Sequence, residues 1–404
     1  MSISPEPGAA DFVVAATEQH RARAAAMLSA RPEIADDPWA ALALGRRWDG
    51  DPSEPGGPRG WAPLLYVTHS CFAAVDMARE LLDRGADPNA FFTNEYGRMS
   101  ALYGAAGRVH DPELTRLLLE RGADPDDGES LYHATEAASP DCVRVLLEHG
   151  ASVEGTNALA HALDEDRVEH VRLLLEAGAD LAEGAYVAHA VRRGRGPDVL
   201  RLLVEHGADV DRPGGETWRG DVPLRTPYQH AVLRGRADVA EALAELGAAT
   251  DVDPADVAVG AVARGERPAT PLPADPDVDV QEVLILTALF EHPGLVIELA
   301  GPHFRGVVGG SPEGSLLHHA AWVGNVGVVR QLLERGADPS ADGGSGTPLA
   351  CAAHGSQNWE MAGRDYVAVA EQLVGAGNRI EARLLRAADG PLYEWLAERV
   401  RPDA

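Results

Sequence analysis

The sequence contains no lysine: all 35 basic residues are arginine. That excludes Schiff-base chemistry and phosphate-binding loops built around a lysine. Cysteine is scarce. Cys71, Cys142 and Cys351 stand far apart, which indicates neither a disulfide framework nor a zinc site and agrees with a reducing cytoplasm. Positive charge is in deficit, with 63 acidic residues and a net charge of −28. Nucleic acids and anionic membrane surfaces, which need a basic footprint, are thereby disfavoured as partners. No apolar run approaches the length of a membrane span. The opening MSISPEPGAADFVV lacks the basic segment and apolar core of a signal peptide. G-x-S-x-G, H-E-x-x-H and a G-x-G-x-x-G opening a helix are all missing. The expectation is a soluble cytoplasmic chain with no catalytic residues, no metal and no cofactor. An arginine-only chain rich in Ala, Gly and Pro is what GC-rich coding produces, which suggests a bacterial source.

What is present is a repeat. The string RELLDRGADPNA, ending at Ala90, returns as RLLLERGADPDD from Arg116, RVLLEHGASVEG from Arg144, RLLLEAGADLAE from Arg172 and RLLVEHGADVDR from Arg201. AEALAELGAATD, RQLLERGADPSA and AEQLVGAGNRIE continue it from Ala240, Arg330 and Ala370. Paired leucines pack a helix on the core. Glycine then takes the left-handed position after the helix end, where it meets no Cβ penalty. Upstream of each string lies a second short helix, as in MSALYGAAG from Met99, NALAHALDE from Asn157 and GSLLHHAAWVGN from Gly314. Such a helix pair cannot bury its own apolar face and must stack on its neighbours. A stack of this kind escapes the size limit of a single compact core, which 404 residues would exceed.

GTPLACAAHG and GSLLHHAAWVGNVGVVRQLLERGADPSAD resemble the ankyrin repeat, over roughly Gly60 to Glu381. The resemblance implies an all-α ankyrin-repeat solenoid of stacked helix–turn–helix units, with the first helices lining a concave groove. It also implies protein binding as the default role. The array is expected to run as N-terminal capping helices and a loop (1–59), a first repeat block (60–251), diverged repeats with a Pro-rich insertion (252–310), a second block (311–380) and C-terminal capping helices (381–404).

One column is unusual. The residue after the histidine position of the family pattern is Tyr66, Gly104, His133, His161, His189, His230, His319 and Cys351. Residues three and four positions later share its helical face. The expected groove therefore carries Tyr66, His69, Arg108, His133, Glu136, His161, Asp164, Glu165, His189, Arg192, Arg193, His230, Arg234, His319, Trp322 and His354. Such histidines either bond backbone groups of an adjacent unit or contact a ligand, and a small-molecule, metal-binding or enzymatic use of the His/Asp/Glu/Arg lining is the alternative. The 28-residue step between Gly150 and Gly178 places His161, Asp164, Glu165, His189, Arg192 and Arg193 on one expected surface. Trp218 and Trp359, in insertions, are candidate interface anchors, whereas Trp48, Trp61 and Trp395 are expected in the core. The expected partner is another protein, and the chain is expected to be monomeric.

The charge balance makes one outcome definite: no DNA or RNA binding at physiological salt. A salt-sensitive gel shift at micromolar protein would contradict it.

Overall fold

A computed structural model describes residues 8–72, 74–182, 184–215, 223–309, 313–358 and 364–400. The chain is mostly helical, at 54%. It forms two compact units, Met1–Tyr186 with Glu205–Ala208 and Val187–Val204 with Asp209–Ala404. In the first, antiparallel pairs such as Pro63–Thr68 with Val75–Asp83 and Ala158–Asp164 with Val168–Glu176 recur along the sequence. The second repeats the arrangement with Pro227–Leu233 and Ala237–Glu245, then Leu316–Trp322 and Val326–Glu334. The segment without the Gly-Ala-Asp signal is also a pair, Val278–Phe290 with Pro293–Ala300.

Each repeat ends in the same backbone closure. The glycines of the eight strings have φ between +88° and +112°. At Gly150 the amide donates to Leu147 O (3.1 Å) and the next amide, Ala151, to Leu146 O (3.0 Å). Gly178 and Ala179 do the same with Leu175 and Leu174. Two orphan carbonyls of the helix end are thus satisfied. The alanine after the glycine is buried at Ala86, Ala123, Ala151, Ala208, Ala248 and Ala337, which explains why seven of the eight strings read Gly-Ala; the eighth buries Asn378 at this position. Beyond it, side chains bind successive repeats. Asn89 donates to Gly122 O and accepts from Asp124 N, Asp126 accepts from Ser152 N, and Asp211 from Ala249 N.

Strands were not expected, and two short hairpins are present. Phe91–Asn94 pairs with Gly97–Ser100, and Arg305–Gly306 with Gly314–Ser315. Isolated bridges join Gly56 to Trp61 and Gly214 to Arg225. Met99 and Ser100, expected to begin a helix, are therefore strand residues, and the helix starts at Ala101. Among the described residues, the 28- and 29-residue steps between Gly122 and Gly207 hold no strand. Only the longer steps have enough chain to fold the turn back on itself.

In the second unit a buried ion cluster joins elements far apart in sequence. Arg225 pairs with both oxygens of Asp256 (2.9 and 3.0 Å), with Asp277 (2.7 Å) and with Asp279 (3.3 Å). Burial works to raise the Asp277 carboxyl, but the guanidinium outweighs it and holds the group below its usual value. Asp277 also caps the helix Val278–Phe290 through Val280 N. The cluster ties the Pro227–Leu233 repeat to the diverged pair.

Gly150→Val and Gly178→Val are each expected to destabilise the chain by about 1 kcal/mol or more. A Cβ at either site would meet no atom within 4 Å, so the cost lies in the left-handed backbone alone. Denaturant midpoints measure it, and two unshifted midpoints would contradict the assignment.

Candidate functional site

The unusual column divides by what precedes each helix. Where the preceding turn folds back, the column residue holds it. Tyr66 Oη donates to Gly56 O (2.7 Å), His230 Nε2 to Gly214 O (2.8 Å) and His319 Nε2 to Gly306 O (3.1 Å). All three glycines lie on the backbone pairings just described. Tyr66, His230 and His319 are fully buried or nearly so, which corrects the expectation that they line a ligand groove. Arg234 donates to His230 Nδ1 (3.0 Å), so that ring is neutral with its proton on Nε2. His318, one residue before the column, bridges Ser315 to Ala341 O (3.0 Å).

In the first unit the same region opens into a cavity of about 620 Å³. The helix Pro63–Thr68 begins at a proline, which suits the first turn, and ends with His69 pointing away from solvent. Trp61, just before it, stacks on Phe92 of the hairpin at 4.1 Å and 14°. His69 meets Phe92 edge-on at 5.3 Å. Tyr103 and His133 complete the aromatic wall, edge to face at 5.1 Å. Gly104 is the exception in the column because a Cβ there would lie 2.5 Å from His69 Nδ1. From Gly104 the backbone runs as a π-helical turn to Val109, a feature frequent at functional sites, and it carries Arg108 to the rim.

The polar groups of this cavity are already partly paired. Arg59 lies 4.8 Å over the Trp61 ring and bonds Glu18 at 2.6 Å. His133 places Nδ1 2.6 Å from Glu136 and Nε2 3.3 Å from Glu129. His69 turns Nδ1 toward Leu65 O (3.2 Å) and Thr68 Oγ1 (3.3 Å), while its Nε2 is buried and has no partner. Burial, with smaller repulsion from Arg108 and Arg59, pushes this imidazole down to about 3.

The other expected residues lie as follows. Arg108 and Glu136 are exposed. His161 is half-buried, bonded to Thr135 Oγ1 (2.8 Å) and packed against the Tyr132 ring at 4.2 Å and a tilt of 33°. Asp164 and Glu165 are exposed. These belong to the first unit; His189, Arg192 and Arg193 belong to the second. There Arg192, Arg193 and Arg234 line a smaller cavity of about 250 Å³ with Arg236, Glu282 and Glu291. Trp322 is half-buried and stacks on the exposed His354 at 6.4 Å. Trp218 and Trp359 lie outside the described residues. Trp48 and Trp395 are in the core, but Trp61 is a wall of the cavity, contrary to expectation. Phe92, Tyr103, Arg59, Glu18 and Glu129 were missed, although the paired phenylalanines and the Asn-Glu-Tyr-Gly turn of FFTNEYGRMS carried a hairpin signal. Burial pushes Cys142 up to about 11 and Cys351 up to about 12, so neither supplies a thiolate near neutral pH. Among the described residues no helix is long and apolar enough to cross a membrane.

Helix pairs closed by left-handed glycines and laced by side-chain bonds define a helical-repeat protein. A model of ankyrin repeats in three copies matches residues 102–185, and a model of a single ankyrin repeat matches residues 315–343. The chain is an ankyrin-repeat protein. No curated protein matches it in sequence. Solved structures similar to it include the ankyrin repeat domain of human ASB11, at 24% identity over 43% of this chain and 80% of that one, with a TM-score of 0.35. An ankyrin repeat domain from Acinetobacter baumannii is 25% identical over 43% and 93%, with a TM-score of 0.37. The ankyrin repeat domain of Bcl-3, a member of the IkappaB protein family, is 26% identical over 43% and 82%, with a TM-score of 0.36.

Acid sensitivity follows from the buried imidazoles. His69, His170, His230, His318 and His319 are all depressed by burial. Unfolded, each takes up a proton as pH falls through about 6.5, whereas in the folded chain each does so at lower pH, His230 well below that value and His69 only near 3. The stability they contribute is complete above pH 6.5 and declines below it, by about 1.4 kcal/mol per pH unit for each strongly depressed group. The urea midpoint should fall between pH 7 and 5, and less steeply in His319→Gln. A midpoint constant over that range would contradict these burials.

Proposed function

We propose that this chain is a protein–protein interaction scaffold, as ankyrin repeats generally are, acting as a monomer in the cytoplasm, and that the aromatic face of its first unit receives the partner. One observation carries this reading: a cavity walled by Trp61, Phe92 and Tyr103 lies beside a hairpin whose Phe91 and Tyr96 are exposed. Interface anchors are enriched in Trp, Tyr and Arg, and a chain with 5% aromatics has concentrated ten of its 21 before residue 104. Arg108, His133, Glu136, His161, Asp164 and Glu165 continue the proposed face in the first unit. His189, Arg192, Arg193, Arg234, Trp322 and His354 are proposed partner contacts in the second. A partner for so acidic a chain is a protein and not a nucleic acid or a membrane surface.

The test is affinity capture from the native host with wild type, Phe92→Ala, Tyr96→Ala and, as a control, Tyr393→Ala, which alters an exposed aromatic of the last helix. A partner held by wild type and the control, but bound about tenfold more weakly by Phe92→Ala or Tyr96→Ala, supports the reading. A partner held equally by all four chains would overturn it.

A further inference from the structure

The cavity beside the hairpin has a floor whose chemistry is specific. His69 is 2% exposed, yet its Nε2 has no hydrogen-bond partner. Nδ1 lies 3.2 Å from Leu65 O, which can only accept, and 3.3 Å from Thr68 Oγ1, which can also accept, so a proton on Nδ1 serves both contacts. Nε2 is then a bare acceptor on the edge of the ring away from the backbone, among the residues that line the cavity. A buried polar atom left in this way costs free energy that a matching group would recover.

The surroundings narrow what that group is. It must donate. It must carry a flat apolar body, because Trp61, Phe92 and Tyr103 form the walls and aromatic rings pair edge-to-face or offset. It must not be a cation: Arg59 and Arg108 also line the cavity, and both act on His69 as positive charges. The carboxylates that would balance a cation are engaged, Glu18 by Arg59 at 2.6 Å and Glu129 by His133 at 3.3 Å. Finally, Arg59 Nε is itself buried without a partner, and a guanidinium N–H can only donate. A hydroxyl is the common group able both to donate to an imidazole nitrogen and to accept from a guanidinium.

We propose that this cavity is a phenol-binding site that receives a tyrosine side chain of the partner, its hydroxyl donating to His69 Nε2 and its ring lying among Trp61, Phe92 and Tyr103. The assignment rests on the scaffold reading above and supplies the chemistry by which the partner is recognised. A volume of about 620 Å³ accommodates the ring together with backbone flanking it.

The experiment is calorimetric titration of the full chain with three probes, 4-methylphenol, toluene and 4-methylbenzylamine, repeated on Phe92→Ala. Because His69 is buried and its replacement endangers folding, the hairpin variant removes a wall instead, with thermal melting as the folding control. The expected result is binding of 4-methylphenol about tenfold tighter than toluene, one hydrogen bond's worth. The protonated amine should bind most weakly, and Phe92→Ala should lose phenol binding while it melts as a folded chain. Equal binding of phenol and toluene, tightest binding of the amine, no phenol binding, or phenol binding unaltered in Phe92→Ala would each overturn the proposal. If the partner is still lost with Phe92→Ala while phenol does not bind, the tyrosine assignment fails and the face stands. If phenol binds and the partner is indifferent to Phe92→Ala, the scaffold reading fails instead.

Discussion

The hydrogen bond from the amide after the capping glycine to the leucine carbonyl five residues earlier, made by Ala86, Ala123, Ala151, Ala179, Ala248 and Ala337, is the interaction on which the rest of the structure depends. It closes the helix end, and it does so only if the glycine adopts positive φ. Once closed, the chain leaves the helix in a fixed direction with the alanine buried. The residues beyond are then placed to bond the next repeat, as Asn89 does with Asp124 and Asp126 with Ser152. Repetition of one local closure therefore sets the spacing at which first helices stand, and that spacing brings their column residues into register.

On this frame a single position does different work in different repeats. Its side chain lies at the foot of the preceding turn. Where the turn folds back, a donor there meets a glycine carbonyl, and Tyr66, His230 and His319 are used up as anchors. In the shorter repeats the column residue turns to its neighbours instead, His133 to Glu129 and Glu136, His161 to Thr135. At Gly104 the side chain is absent, and His69 fills the space with one nitrogen bonded and the other left open. The cavity thus arises from an omission in the repeat pattern.

The fold was legible because it is periodic and local: leucine pairs, glycine caps and a return of the same string need only a few adjacent residues to recognise. The meaning of the column was not legible to the same degree. Whether His230 is an anchor depends on Gly214, and its burial on Arg225 and Arg234 nearby, which the repeat pattern does not encode. The Arg225 cluster joins residues up to 54 positions apart, two of them beside or within a segment with no repeat signal. Trp61 looked like core because tryptophan usually is. Its half-open setting comes from Phe92, delivered by a hairpin, and the length of the step from Gly85 to Gly122 was a sign of added structure without a sign of its kind.

The central claim is that one column is divided between buried anchors and a site where a ring nitrogen is left open for a ligand. Imidazole ¹⁵N resonances of the full chain test it most directly, since they report which nitrogen of each ring carries the proton. The account predicts that His230 and His319 are protonated on Nε2 and His69 on Nδ1, all three as neutral rings at pH 7. A proton on Nε2 of His69, or on Nδ1 of His230 and His319, would contradict it.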